Sequence, residues 1–448
     1  MLTKRILSYF VFALKTLLVI GLSTTLLSSC GSGTDDGIDY EFTTPVLDGV
    51  LTGYMGDLRS ASVPQSGGNK YYISGDASSE GSGTSSSPFK TFKAATTKLK
   101  PGDTLVVRGT IKEAKRIKLS GVNGTADNYI RIKGESGSAL SGENITEKDN
   151  KILKIEDCSY LKIENLAFKD HTRCKNGGGG IGIYPASHHI VVADCNFTNL
   201  KTTHPTEHGT TNGIIVYGNS ASDTIHDIFI SNNNFSDMAT GWAECLTVTG
   251  NSEYVNLVSN TIDTTGNIGI DVGGNYGYCK DPTKDFARYI YIYKNTVKNC
   301  KSPNETAGSI YCDGGQHIII KDNKIYDGQT GFSTGAEQKP RHENLSTGDI
   351  LIQGNYIENF DYGVWHCGGW KKELGWVQSV KFTGNTGKNT GYGEDQAVIV
   401  FNKCRNITFT GNNFTNPNYE GVTKVYYSFK KDTQYTQNVI EENNSWDW

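Results

Sequence analysis

A parallel β-helix, an all-β solenoid, is the fold this 448-residue sequence predicts, and three observations predict it. The first is a returning phrase. Aligned on apolar-x-apolar-x-x-Asn-x-apolar, its copies read "DIFISNNNF", "YVNLVSNTI", "YIYIYKNTV", "HIIIKDNKI", "DILIQGNYI", "SVKFTGNTG" and "NITFTGNNF", with Asn233, Asn260, Asn295, Asn323, Asn355, Asn385 and Asn412 in one slot. An earlier copy, "HIVVADCNF", puts Cys195 there, and successive slots lie 38, 27, 35, 28, 32, 30 and 27 residues apart. A constant strand phrase with a variable gap is what solenoid coils with loop insertions produce. The second observation is another strand ahead of each copy, from "GIGIYP" and "NGIIVYG" through "IGIDVGG" and "GSIYCDGG" to "AVIVFN". Period-2 alternation marks both as strands with one apolar face. The third is the glycine content, 52 residues, well above the roughly 7 % average and suited to many turns.

Stacked coils form parallel sheets with rungs about 4.8 Å apart. An Asn at the same corner of every coil can bond its amide to the coils above and below. The chain ahead of the repeats divides into shorter parts. Residues 1–30 place Lys4 and Arg5 before an apolar run that ends in small residues at Cys30, the pattern of a signal peptide. The closing "LSSC" resembles the cleavage box of bacterial lipoproteins, which implies lipidation of Cys30 and an outer-membrane, surface-facing location. Residues 31–68, opening on "GSGTDDG", read as a flexible acidic tether. Residues 69–113 read as an N-terminal cap containing a short helix, "SSPFKTFKAATTKL", with Ser87 at its N-cap and Pro88 in its first turn. The β-helix then occupies 114–448.

The formal charge of −4 and pI near 6.2, with no polybasic run, give no support for nucleic-acid binding or for an anionic membrane surface. The membrane enters only through the lipid on Cys30, and a monomer is expected. Nine cysteines follow Cys30 with no CxxC pair, so zinc spacing is absent. Cys195 and Cys312 fall at inward positions. Cys279 and Cys300 flank a loop and could form a disulfide.

Candidate chemistry comes from the second strands, set in register on Leu246, Ile270, Ile310, Phe332 and Val364. Odd offsets then point outward. Asp271 is one residue on, Asp313 three and Glu337 five, each on the next coil, while Glu244 sits two residues before its anchor. Four carboxylates so stacked repel unless something offsets them. A calcium ion accepts such oxygen ligands, and Asp271, Asp313, Glu337 and Glu244 are the candidate set. Two of them could instead serve as acid and base on a glycosidic bond, and solvated turn carboxylates are the plain alternative. Tyr184, Tyr217, Tyr311 and Trp365 are expected outward on the same sheet, where aromatic faces stack on sugar rings. The insertion "HCGGWKKELGW" adds Trp370, Lys371 and Lys372; "GAEQKPRHEN" adds Arg341 and His342. Loops 171–179 and 203–211 offer His171 and His208. His366 alternates inward, and Arg288 opens a strand as a sugar contact or ion-pair partner.

The opening "YYISGD…GTSSSPFKTFKAA…LKPGDTLVVRG" resembles the start of secreted right-handed β-helix carbohydrate-active proteins, chiefly pectate-, alginate- and chondroitin-cleaving polysaccharide lyases. With the coil pattern, the likeness covers most of the chain after residue 30. It implies a right-handed coil and a uronate-containing polysaccharide as substrate, cleaved by β-elimination. The cationic loops tilt the choice toward a glycosaminoglycan such as chondroitin sulfate or hyaluronan over pectate or alginate. Elimination needs a neutralised carboxylate, a base and a proton donor. Calcium serves the first; Lys371, Lys372, Arg341 and His208 are candidate bases, and Tyr311 a donor to the leaving oxygen. Such helices also host hydrolases and adhesins, so a glycoside hydrolase or a non-catalytic glycan-binding protein stands as the alternative.

Overall fold

The computed structural model describes residues 63–64, 67–145, 151–304, 307–339, 347–390, 397–417 and 421–448. The expected signal peptide, Cys30, most of the tether, Arg341 and His342 lie outside the described residues. The described chain forms three parallel sheets of 13, 12 and 11 strands. One coil shows the plan: Ile225–Ser231 belongs to the first sheet, Asn234–Ala239 to the second and Leu246–Gly250 to the third. Each pairs in parallel with its counterpart one coil on, Ser252–Val258, Thr261–Thr265 and Ile270–Gly273. The repeated phrase is therefore two strands bent at the Asn, so each coil carries three strands.

The bend has a local cause. The residue before each slot has left-handed backbone geometry: Asp194, Asn232, Ser259, Lys294 and Asp322, then Gly354, Gly384 and Gly411. The last three are the residue type that adopts it without strain. The bend turns the Asn inward, and a buried amide must then find partners. It finds them in the neighbouring coils. From Asn233 to Asn412 each side-chain Nδ2 donates to the next Asn Oδ1 at 2.9–3.1 Å. The backbone N–H of the same residue donates to the same oxygen at 2.8–3.1 Å. The second amide hydrogen goes to a carbonyl of the preceding coil, as from Asn260 to Ile230 and from Asn295 to Leu257. The ladder ends on Asn444, which the repeat phrase does not reveal, and begins at Cys195, whose N–H donates to Asn233 Oδ1 at 3.0 Å.

Inside the coil the apolar side chains stack on their own kind, as in Phe168, Phe197 and Phe235, whose rings lie 4.9 and 4.5 Å apart. Cys195 and Cys312 are buried as expected. The possible Cys279–Cys300 disulfide is not formed. Cys300 points into the core from the second sheet, while the Cys279 thiol contacts the Ser220 carbonyl at 3.6 Å. The N-terminal helix is shorter and later than expected, Phe92–Thr96, with Thr91 as N-cap. Ser87 and Pro88 stay in the preceding turn because Phe89 bridges to Ile73. Glu80 then binds the Lys90 N–H and the Thr91 hydroxyl. Phe92 and Ala95 bury the helix on the core.

Each ladder Asn satisfies several buried groups, so Asn295→Ala and Asn323→Ala should each destabilise the fold by about 1–3 kcal/mol. Urea unfolding of the two variants checks this, and wild-type midpoints would show the ladder to be incidental.

Candidate active site

The register of the third sheet places the carboxylates. Leu246 pairs with Ile270, Ile270 with Ile310, and Ile310 with Phe332. One residue on, Thr247, Asp271, Tyr311 and Ser333 form an outward row. Two further on, Gly273 sits beside Asp313 and Asp313 beside Gly335. Both glycines make room. A Cβ at Gly335 would lie 2.2 Å from Tyr311 Oη, and one at Gly273 would lie 3.2 Å from Asp271 Oδ2. Glu337 follows at the corner, and Glu244 stands at the opposite corner where the chain enters the sheet.

These groups are joined by hydrogen bonds. The Glu337 N–H donates to Asp313 Oδ1 at 2.7 Å, and the Tyr276 hydroxyl donates to Asp313 Oδ2. Tyr311 Oη donates to Glu337 Oε1 at 2.8 Å. Glu244 accepts from Thr247 Oγ1 at 3.0 Å. Thr247 in turn accepts from the Asn212 amide at 2.9 Å, and the buried Lys151 ammonium donates to Asn212 Oδ1 at 3.0 Å. Asp313 is 1 % exposed and Asp271 8 %. Burial, then the Glu337 charge, push the Asp313 carboxyl up to about 8, against the lowering pull of Tyr276 and the Glu337 N–H. Asp271 is held well above the ordinary carboxylate range by burial and then by Glu244, Asp313 and Glu337. Burial also raises Glu337, while the Tyr311 hydrogen bond favours its anion. A cluster of this kind holds protons near neutral pH that isolated carboxylates release.

The aromatic surroundings differ from expectation in part. Tyr184 and Tyr217 lie outward, rings 6.0 Å apart, and continue through Tyr278 to Tyr276 at 4.9 and 5.6 Å. Trp365 is fully buried, stacked on Phe382 at 4.7 Å, so it cannot meet a sugar. Its strand is registered on Trp365 and not Val364, because Phe332 pairs with Trp365. Two consecutive buried residues open this strand as they open Cys245–Leu246, and alternation alone does not say which one is the anchor. His366 consequently faces outward in the row of Tyr311 and Ser333, with burial pushing its imidazole down to about 4.

The cationic candidates are engaged elsewhere. Lys371 Nζ lies 4.0 Å over the exposed Trp370 ring, and Lys372 Nζ 4.8 Å over Tyr435. His208 stacks on Trp242 at 4.7 Å at the entry corner. His171 is packed, its Nδ1 accepting the Gly179 N–H at 2.9 Å. Arg288 lies on the first sheet in an ion pair with Glu253 at 2.6 Å. Tyr276, Tyr278, Asn212 and Lys151 are the site neighbours that sequence reasoning missed; "GGNYGY", directly after the Asp271 strand, was the available signal for the tyrosines.

The raised carboxyls set a pH dependence. A carboxyl whose folded value exceeds its unfolded value binds more protons in the fold, so stability falls as pH rises from about 4, the unfolded value, toward 8. Asp313→Asn keeps the acceptor for the Glu337 N–H and removes that charge. Its melting temperature should exceed wild type at pH 8, with the gap closing toward pH 4. Thermal scans across that range check it, and a pH-independent gap would contradict the raised carboxyl.

No protein-family model matches the chain. Among solved structures, a GH136 lacto-N-biosidase from Eubacterium ramulus has a TM-score of 0.55 at 14 % identity, over 84 % of this chain and 68 % of that one. The A-module of the Azotobacter vinelandii mannuronan C-5 epimerase AlgE6 gives 0.54 at 11 %, over 90 % and 96 %. The catalytic domain of a GH87 alpha-1,3-glucanase gives 0.53 at 13 %, over 86 % and 71 %. At such identities the likeness is one of fold, the parallel β-helix. Uncharacterized protein YwoF of Bacillus subtilis (strain 168) is 30 % identical over 342 residues, 74 % of this chain and 70 % of that protein. The chain belongs to the family of YwoF.

Proposed function

We propose that this protein is a carbohydrate-active enzyme that cleaves a polysaccharide with the carboxylates of the third sheet, as a glycoside hydrolase. The observation that carries the reading is the Asp313–Glu337 pair, two carboxyls tied by one backbone N–H and each bonded to its own tyrosine. Asp313, with its proton held up to about 8, is the general acid that protonates the leaving oxygen once the exposed Tyr276, whose hydroxyl covers its Oδ2, gives way to the sugar. Glu337, whose anion Tyr311 favours, is the base or nucleophile on the sugar. Asp271 and Glu244 bind sugar hydroxyls, and Tyr184, Tyr217, Tyr278 and Trp370 offer faces to sugar rings. The β-helix neighbours include proteins named as a lacto-N-biosidase and an alpha-1,3-glucanase, which agrees with this reading.

A second reading rests on the crowding of four like charges. Calcium held by Asp271, Asp313, Glu337 and Glu244 would offset them and neutralise a uronate, making the protein a polysaccharide lyase on a glycosaminoglycan, pectate or alginate. That ion would have to replace the tyrosine hydrogen bonds now made to Asp313 and Glu337. In either reading the chain works at the bacterial surface, anchored by lipid on Cys30. Cys30→Ala should release it from the membrane fraction, and unchanged membrane association would remove the anchor.

A polysaccharide panel assayed for new reducing ends and new ultraviolet absorbance separates the chemistries. Reducing ends alone are expected, with Asp313→Asn and Glu337→Gln each slowed about 10²–10⁴-fold and chelation without effect. Absorbance that chelation abolishes would establish the lyase instead, and no cleavage of any polymer would leave a binding protein.

A further inference from the structure

The first sheet carries a second cluster, away from the carboxylate stripe in the coil plan. From Ser159–Glu164 onward each of its strands has a left-handed residue just after its entry: Tyr160, His189, Asp227, Tyr254, Tyr289 and His317 among them. Pairing skips that residue. His188 pairs with His226 and Ile190 with Ile228, leaving His189 and Asp227 between the rungs. Because Ile190 and Ile228 are fully buried, each coil there presents two neighbouring side chains on its outer side instead of one. On the two coils concerned, that makes a two-by-two set: His188 and His189 below, His226 and Asp227 above.

The donor atoms of this set follow one another closely. His188 Nδ1 is 2.9 Å from His189 Nδ1, His189 Nδ1 is 3.8 Å from Asp227 Oδ2, and Asp227 Oδ2 is 2.6 Å from His226 Nδ1. Ligand atoms of His189, His226 and Asp227 all lie within 4.8 Å of one another. Donors about 2.0–2.1 Å from a tetrahedral zinc ion stand roughly 3.3 Å apart, and the two spacings made by Asp227 bracket that figure. The rings of His188 and His226 are parallel, 1° apart at 4.9 Å, so they cannot both aim in-plane nitrogens at one ion; His188 instead braces the His226 ring, and Tyr160 packs on His189 at 4.5 Å. The side chains of His226, His189 and Asp227 are 35, 22 and 19 % exposed, so an ion has access from solvent.

We propose that His189, His226 and Asp227 bind one divalent transition-metal ion of the zinc class, with water in the fourth position. Two imidazole nitrogens with one carboxylate oxygen suit zinc, nickel or copper; calcium and magnesium take oxygen ligands. Elsewhere along the column the paired positions are Glu253–Tyr254, Arg288–Tyr289 and Gln316–His317, sets without a second imidazole. The site does not depend on the proposed glycan chemistry.

The test is zinc titration of the tag-free full chain by calorimetry, with a cobalt absorption spectrum as the second readout. One zinc ion per chain is expected, and cobalt should give the intense visible bands of a tetrahedral site, erased by zinc and left unchanged by excess calcium. His226→Gln and His189→Gln should each weaken zinc at least about tenfold, while His317→Gln, on the same sheet, leaves it unchanged. Absence of stoichiometric zinc uptake by the wild type would overturn the proposal, as would equal weakening by His317→Gln. The wild-type cobalt spectrum decides the matter even if a variant fails to fold.

Discussion

Coil-to-coil register is the constraint on which the rest of this molecule depends, and the buried asparagine ladder is its clearest determinant. A parallel sheet by itself permits slippage, because each rung offers the same backbone groups. The ladder does not. Asn260 must meet Asn295 Oδ1 with both its amide and its backbone N–H while its second amide hydrogen reaches Ile230. A displaced coil would bury several polar groups without partners, each a cost of about 1–3 kcal/mol. The left-handed corner residue and the stacked core rings favour the same register, so local geometry, packing and polar satisfaction agree.

That agreement lets the outer face of the third sheet hold what would otherwise be unfavourable. Asp271 and Asp313 come from successive coils and are nearly inaccessible to water, where two charges repel and neither is well solvated. The backbone holds them together regardless, and the charges yield by retaining protons. Tyr276 and Tyr311 then partner different carboxyls, so chemically similar groups experience different surroundings. Divergent surroundings of this sort divide acid from base in carboxylate catalysis. The first sheet uses the same register differently, setting two histidine-bearing coils directly over one another.

Much of this was legible in the sequence, for a physical reason. Side-chain alternation along strands and the spacing of the Asn slots are local properties, and they place Asp271, Asp313 and Glu337 on adjacent coils without reference to tertiary detail. What was not legible depended on departures from strict alternation. Two buried residues open the Trp365 strand, which moved Trp365 into the core and His366 out of it. The left-handed residue at 189 sets two histidines side by side, a bulge that spacing does not announce. Lys371 and Lys372 read as free cations because their aromatic partners Trp370 and Tyr435 meet them only in the folded chain. Tyr276 was missed because it reaches Asp313 from a loop, where periodicity carries no information.

The most direct test of the account is the protonation state of Asp313 itself. Carbon-13 NMR of chain labelled at aspartate carboxyls, with Asp313→Asn to assign the resonance, follows its titration without reference to activity or stability. The account predicts a carboxyl that titrates near pH 8, where burial and the Glu337 charge hold it. A midpoint in the ordinary aspartate range, around pH 4, would contradict it and leave the stripe as a row of ionised carboxylates.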